Sequence, residues 1–547
     1  MNLRDYQLEA VNSVFQSWEE NKSTLLVLPT GCGKTVCFSE IIKRAHPKRA
    51  MVIAHREELI WQAKDKIEAH SDLECQVEMA HLRADATFWN QSPVVISTVQ
   101  TQNAGNNGEG RMRRFKPSDF GVLIVDEGHH ATAQSYRNLF EYYGQNPDLK
   151  ILGVTATPDR ADEVALGKVF QAVAFDYEIL DAINGGWLTP IKQQMITIDG
   201  LDFSQVRTTA GDLNGADLAA VMEAEENMQG VASASLDIIG NRRTLVFTAS
   251  VKQAEMLCNI LNRHRQGMAS WVCGKTDKEE RRKLLKEFSS GETQVMVNCG
   301  VLTEGYDNPS VEIIIQARPT KSRCLYSQMI GRATRPLPGL VDGLGTPEER
   351  KAAIAASPKP SMLVIDFVGN SGRHKLVSTA DILGGKFTDE EIEQAERSAK
   401  ESGKPVEMTE ELEKARELLE QRRQAEIARK ARLIGKAKYR SVEISPFDVF
   451  QIEPERERGW DCGKTLSEGR KKILREKMGI NPDDISYHKG MQLISEFFRR
   501  IESSLCSYGQ AKVLMRSGYD PKNITFKDAG ELITKLKANN WKPLEVA

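Results

Sequence analysis

Residues 25–35 read Leu25-Leu26-Val27-Leu28-Pro29-Thr30-Gly31-Cys32-Gly33-Lys34-Thr35 and continue into a helical pattern over Val36–Arg44. The order is apolar strand, glycine loop, helix. Glycines let backbone N–H groups close around phosphate oxygens, and a helix N-terminus adds a favourable dipole. Thr30, Gly31, Cys32 and Gly33 are thus expected to cradle phosphates. Lys34 is expected to reach the β- and γ-phosphates, and Thr35 to hold Mg²⁺ through its hydroxyl. Leu28 stands where such loops usually carry their first glycine.

The second half of this site lies some ninety residues on. Val122-Leu123-Ile124-Val125 reads as a buried strand, and Asp126-Glu127-Gly128-His129-His130 follows it. An acid at the C-terminal end of such a strand faces the loop edge of an open α/β sheet. Asp126 would hold Mg²⁺, directly or through water, and Glu127 would polarise an attacking water as general base. An exposed Asp-Glu turn is the alternative. These groups do not stabilise charge on a transferred phosphoryl group. Arginines do that, and Arg332 and Arg335 in Gln328-Met329-Ile330-Gly331-Arg332-Ala333-Thr334-Arg335 are candidates, expected at i and i+3 on one helical face.

Short apolar runs alternate with helical patterns in two stretches, which implies two parallel sheets with crossover helices. The first has Thr24–Leu28, Met51–Ala54, Val94–Ser97, Val122–Val125 and Ile151–Val154; the second has Thr244–Phe247, Val295–Asn298, Val311–Ile315 and Met362–Ile365. Residues 191–240 lack such runs and read as a connector with helical pieces, after Gly185-Gly186 and Pro190. The division expected is an α/β domain at 1–190, the connector 191–240, a second α/β domain at 241–384, a charged helical segment at 385–440, basic from Arg422 to Arg440, and a small mostly α domain at 441–547. Phe497, Phe498, Leu514, Ile533, Leu536 and Trp541 are candidates for the core of that last domain.

The 547 residues are 40% hydrophobic and 27% charged, which excludes wholesale disorder. Lys+Arg 74 against Asp+Glu 76 leaves a net charge of −2, a balance in which a local basic groove can still hide. No apolar run is long enough for a transmembrane helix. The start, Met1-Asn2-Leu3-Arg4-Asp5-Tyr6, lacks the apolar core of a signal peptide, and the nine cysteines show no CxxC spacing, so a cytoplasmic protein without a zinc module is expected.

The ordered set resembles the superfamily 2 helicases and translocases, whose two RecA-like domains sandwich ATP while nucleic acid lies across both. The residues that carry the resemblance are Gln7 within Leu3–Gln7, the phosphate loop, Ala54-His55-Arg56-Glu57-Glu58-Leu59, Ser97-Thr98-Val99-Gln100-Thr101, Asp126–His129, Thr155-Ala156-Thr157-Pro158, Leu245–Thr248, Thr303-Glu304-Gly305-Tyr306-Asp307 and Gln328–Arg335. Within the superfamily, Val301–Pro309 and Ala317–Thr320 are similar to the restriction-type and RadD-type helicases of bacteria and phages.

The resemblance implies roles. Arg4 and Gln7 would contact adenine. Gly305 and Asp307 would line the nucleotide cleft from the second domain, and Gln328 would sense the γ-phosphate. Thr155 and Thr157 would couple hydrolysis to domain motion. Arg56, Thr98, Gly274 and Thr303 would meet the nucleic-acid backbone, although Thr98 and Thr303 also suit helix caps. The activity implied is ATP-dependent DNA unwinding or translocation with Mg²⁺, on single-stranded or forked DNA, in replication, repair or recombination. A double-strand DNA translocase or RNA helicase with the same motor is one alternative, and a nucleotide-gated nucleic-acid clamp another. No membrane is expected as a partner.

Overall fold

The short apolar runs become the inner strands of two sheets. The computed structural model describes residues 3–539 other than 56, 86–90, 106–109, 157–159, 210, 373, 386, 435–444, 451, 453, 455–456 and 518. The first sheet contains β1 (Ser23–Val27), β2 (Ala50–Ala54), β3 (Cys75–Glu78), β4 (Val94–Thr98), β5 (Val122–Asp126), β6 (Lys150–Thr155) and β7 (Ala172–Asp176). Its order is β3-β4-β2-β5-β6-β1-β7, with every pair parallel. Every residue of β1, β2 and β4 is buried, as strands covered by helices on both faces must be. The edge strands β3 and β7 are partly exposed; Gln76 and Glu78 break the apolar pattern of β3, whereas β7 is apolar from Ala172 to Phe175 but only half-buried.

Helix α1 (Asp5–Glu20) buries Tyr6, Ala10, Val11, Val14 and Trp18, a stripe at three- and four-residue spacing. Helix α2 (Lys34–Ala45) follows the glycine loop, and α3 (Glu57–Ser71) and α4 (Val99–Asn103) follow β2 and β4. Because β1, β6 and β5 are parallel neighbours, the segments after all three leave the sheet at one edge. This brings the glycine loop, Thr155 and the acid box together.

The second sheet uses β8 (Ile191–Asp202), then, after an antiparallel ribbon of β9 (Thr208–Thr209) and β10 (Asp212–Leu213), the strands β11 (Thr244–Thr248), β12 (Ala269–Cys273), β13 (Val295–Cys299), β14 (Ile313–Ala317), β15 (Met362–Asn370) and β16 (Val406–Glu407). The order is β12-β13-β11-β14-β15-β8-β16, parallel except for the β16–β8 pair. The expectation of a strandless connector over 191–240 is corrected: β8 pairs with β15 from Ile191↔Met362 to Thr197↔Val368 and again at Asp202↔Asn370. Its burial alternates, so Lys192, Gln194 and Asp199 interrupt the apolar pattern that inner strands show. Helices Gly215–Met222 and Glu225–Ile239 add Leu218, Met222, Met228 and Val231 to the same core as Val246, Ile313 and Ile365. The run expected at Val311–Ile315 forms a strand only from Ile313, because the Val311 N–H turns back to the Asn308 carbonyl.

The chain divides into two compact units, Met1–Gly385 with Asp389–Glu417, and Lys386–Thr388 with Leu418–Ala547. Both sheets belong to the first. The charged segment forms helices Asp389–Ser402 and Met408–Ile434. The basic run begins in the second of these helices, and its residues 435–440 fall outside the described residues. The second unit is helical around Phe450, Leu474, Leu493, Cys506, Leu514 and Leu536. Phe497 and Ile533 flank that core, whereas Phe498, expected inside, is 47% exposed; Trp541 lies outside the described residues. No described helix is long and apolar enough to cross a membrane.

Candidate nucleotide-binding cleft

The glycine loop leaves β1 at Leu28, whose N–H bonds to the Thr155 carbonyl at the end of β6. Gly31 and Gly33 have φ of +95° and +77°, values that side chains with a Cβ rarely adopt. Gly33 also has no room for one: a Cβ there would stand 2.5 Å from Gln7 Nε2. Helix α1 clamps the loop from above, with Tyr6 Oη and Gln7 Nε2 both donating to the Cys32 carbonyl, at 2.9 and 3.0 Å. Burial pushes the Cys32 thiol up to about 12, so it serves as packing and not as a nucleophile. Lys34 opens α2, and Thr35 is half-buried in its first turn.

Lys34 Nζ donates to Glu127 Oε1 at 3.2 Å. Burial opposes the charge on Lys34, but Glu127 and Asp126 outweigh it and hold its pKa above the ordinary value. Asp126 is raised by burial and by the charge of Glu127. Glu127 is held low despite its burial, because Lys34 and His129 face it. Its Oε2 accepts no hydrogen bond. His129 Nδ1 stands 3.2 Å from Thr155 Oγ1 and 3.5 Å from Glu127 Oε2, so this ring links the acid box to the end of β6. Gly128 packs closely on the backbone of β6, where a Cβ would lie 3.2 Å from Val154 N.

The second sheet supplies the facing wall. Helix Arg323–Ile330 ends at Gly331, where a Cβ would lie 2.6 Å from Thr30 Cβ. The expectation that Arg332 and Arg335 share a helical face is corrected: both follow the helix, because Gly331 closes it. Arg332 is part-buried and donates to the Thr303 carbonyl through Nη2 (2.7 Å) and to the Tyr306 carbonyl through Nη1 (2.7 Å). Burial pulls its pKa down to about 10, partly offset by the charge of Glu127. Arg335 pairs with Asp307, and its Cγ would be 3.3 Å from a Cβ on Gly31. Gln328 is buried, and its Nε2 has no hydrogen-bond partner among the described residues. The loops cross-link as well: Gln62 Nε2 donates to the Gly305 carbonyl at 2.7 Å, and Thr189 N to the Thr334 carbonyl at 2.8 Å.

A lysine and two acids thus face two arginines across one cleft built by both sheets. The profile described as "Type III restriction enzyme, res subunit" matches residues 1–160, and that described as "Helicase conserved C-terminal domain" matches residues 231–336. These two matches support a superfamily 2 helicase relationship for the residues they cover. The chain is similar to IRC3 of Saccharomyces cerevisiae, named an ATP-dependent helicase, with 29% identity over 72% of this chain and 55% of that protein. A Schizosaccharomyces pombe protein named a mitochondrial ATP-dependent helicase, irc3, is 29% identical over 61% of this chain and 55% of its own length. The chain therefore spans just over half the length of these curated relatives. The fold also resembles the DNA-bound Type ISP restriction-modification enzyme LlaBIII, with a TM-score of 0.53 and 15% identity over 99% of this chain and 40% of that one.

The other motif residues fall as follows. Arg4 lies over the Trp187 ring at 4.6 Å and pairs with Asp342 at 3.1 Å, while its N–H bonds to Gln7 Oε1. Thr98 caps α4, accepting from Thr101 N, and Thr303 is buried with its carbonyl on Arg332. Gly274 faces open space. Arg56 and Thr157 lie outside the described residues. An aromatic group beside the loop has no signature in the sequence: Tyr6 stacks on Tyr177 at 4.8 Å, and Arg350 lies 3.9 Å over Trp187. These rings come from positions 6, 177 and 187, which only the fold brings together.

Proposed function

We propose that the protein is an ATP-dependent DNA helicase or translocase that turns over ATP in this cleft and acts on single-stranded or forked DNA during replication, repair or recombination. The observation that carries this reading is the facing of Lys34 and Glu127 by Arg332 and Arg335 over the glycine loop. The loop N–H groups and Lys34 bind the phosphates, and Arg4, Gln7 and the Tyr6–Trp187 group take the base. Glu127, kept ionised by Lys34, accepts a proton from the attacking water. Arg332 and Arg335 leave their present partners for the γ-phosphate, whose buried polar neighbour is Gln328. Thr35 and Asp126 would hold Mg²⁺, which when bound neutralises charge on the phosphate oxygens. The raised carboxyl of Asp126 and the open Oε2 of Glu127 suit a buried cation site.

Loss of the γ-phosphate breaks the link between the lobes, and the His129–Thr155 contact carries the change from the acid box to β6. Arg56, Thr98, Gly274, Thr303 and Thr157 complete the strand-gripping and coupling set. Residues 1–190 act as the first motor lobe, the sheet from β8 to β16 with its helices as the second, and residues 441–547 as an accessory domain. The cysteine thiols support a cytoplasmic setting.

The test is ATPase activity without nucleic acid and with single-stranded, forked and blunt DNA and duplex RNA. Stimulation is expected to be greatest with single-stranded or forked DNA. Glu127→Gln is expected to keep ATP affinity and lose turnover by about 10²–10⁴-fold. Absence of stimulation by every DNA, or wild-type turnover in Glu127→Gln, overturns the reading.

A further inference from the structure

His55 follows β2 directly, and His130 lies in the turn after β5. These strands are parallel neighbours, so both imidazoles reach one edge of the first sheet. Their rings meet edge to face, with centroids 4.7 Å apart. Glu304 comes from the second lobe, in the loop after β13, and its Oε2 stands 3.8 Å from His55 Nδ1. One ligating atom from each of the three residues lies within 4.8 Å of the others. The Glu304 carboxylate is 8% exposed and the His55 side chain 20%.

We propose that His55, His130 and Glu304 form a transition-metal site that joins the two lobes, with Zn²⁺ as the fitting ion. Two imidazoles and one carboxylate are a zinc donor set, and metal–ligand lengths of about 2.0–2.2 Å place tetrahedral ligand atoms roughly 3.4 Å apart. The observed spacing reaches that value by side-chain rotation. The site is chemically distinct from the oxygen pair of Thr35 and Asp126: Mg²⁺ takes oxygen ligands, and imidazole favours zinc, copper, nickel or iron. Three protein ligands leave a fourth position, and a cavity of about 780 Å³ lined by His129, His130, Glu304 and Gln328 gives water access to it. Opening of the cleft carries Glu304 away from the histidines. Occupancy and closure are therefore linked, and a bound metal holds the lobes together.

The full chain, free of nucleotide and Mg²⁺, is titrated with Co²⁺ and followed by electronic absorption, then with Zn²⁺. The expected result is one Co²⁺ per chain with ligand-field bands, no thiolate charge-transfer band, and displacement by Zn²⁺. The His55→Ala/His130→Ala double variant, matched to wild type by circular dichroism, is expected to lose the bands. Glu304→Gln alters no residue of the first lobe and supplies the second variant. Zn²⁺ is expected to raise the melting temperature of wild type and not that of Glu304→Gln. Absence of the bands in wild type, a thiolate band placing the ion on a cysteine, undiminished binding in the double variant, or an equal Zn²⁺-induced rise in Glu304→Gln each overturns the proposal. None of these readouts depends on ATP turnover, so they stand apart from the outcome of the ATPase test.

Discussion

Lys359 illustrates how single side chains fix the arginine wall. It is buried, and its Nζ donates to the carbonyls of Pro309 (2.7 Å) and Arg335 (2.8 Å), tying the two loops that flank the cleft. Burial pulls its pKa down to about 7, whereas an unfolded lysine titrates near 10.4. Between these values the unfolded chain holds a proton that the folded chain does not, so this group's contribution to stability rises with pH from about 7 to about 10 and is lost as pH falls. Lys359→Met removes the titration. Between pH 7 and pH 9.5 wild type should gain stability over Lys359→Met by about 1 kcal/mol or more; thermal melts of both proteins at the two pH values measure it. Parallel changes would show that Lys359 stays charged throughout. At the same scale, Lys34, Asp126 and Glu127 were legible because their spacing from apolar strands is itself the signal. His129 stood in the same box without a legible role, because its link to Thr155 depends on the neighbouring order of β5 and β6, which no local pattern carries.

At the scale of elements, fully covered strands were legible and partly covered ones were not, for one physical reason. β1, β2, β4, β11 and β14 are buried along their whole length, and each holds a run of three or more apolar residues. β3, β8 and β12 are covered unevenly and polar residues break their runs, while β7 is only half-buried along its length. The most consequential of these is β8, because without it the edge of β15 is bare and the helices Gly215–Met222 and Glu225–Ile239 lose the strand that leads into them. A fragment spanning 187–417 should therefore melt cooperatively, while one spanning 241–417 should be insoluble or melt without a transition. Equal cooperativity in calorimetry would mean that β8 is dispensable and that the second lobe does begin near residue 241.

At the scale of the whole molecule, the account concerns the first compact unit, in which two sheets share one cleft. Gly331 lies against Thr30, Arg335 beside Gly31, and Gln62 on Gly305, so the facing loops touch through backbone and short side chains. That closeness suits a site whose two walls work on one triphosphate. The second unit has its own core and stands outside this claim. The most direct measurement is steady-state ATPase with single-stranded DNA for Arg332→Ala and Arg335→Ala, alongside ATP affinity measured separately. The account predicts that turnover falls by about 10³-fold or more in each while ATP affinity changes far less. Wild-type turnover in both variants would contradict it, since the second lobe would then contribute nothing to the chemistry.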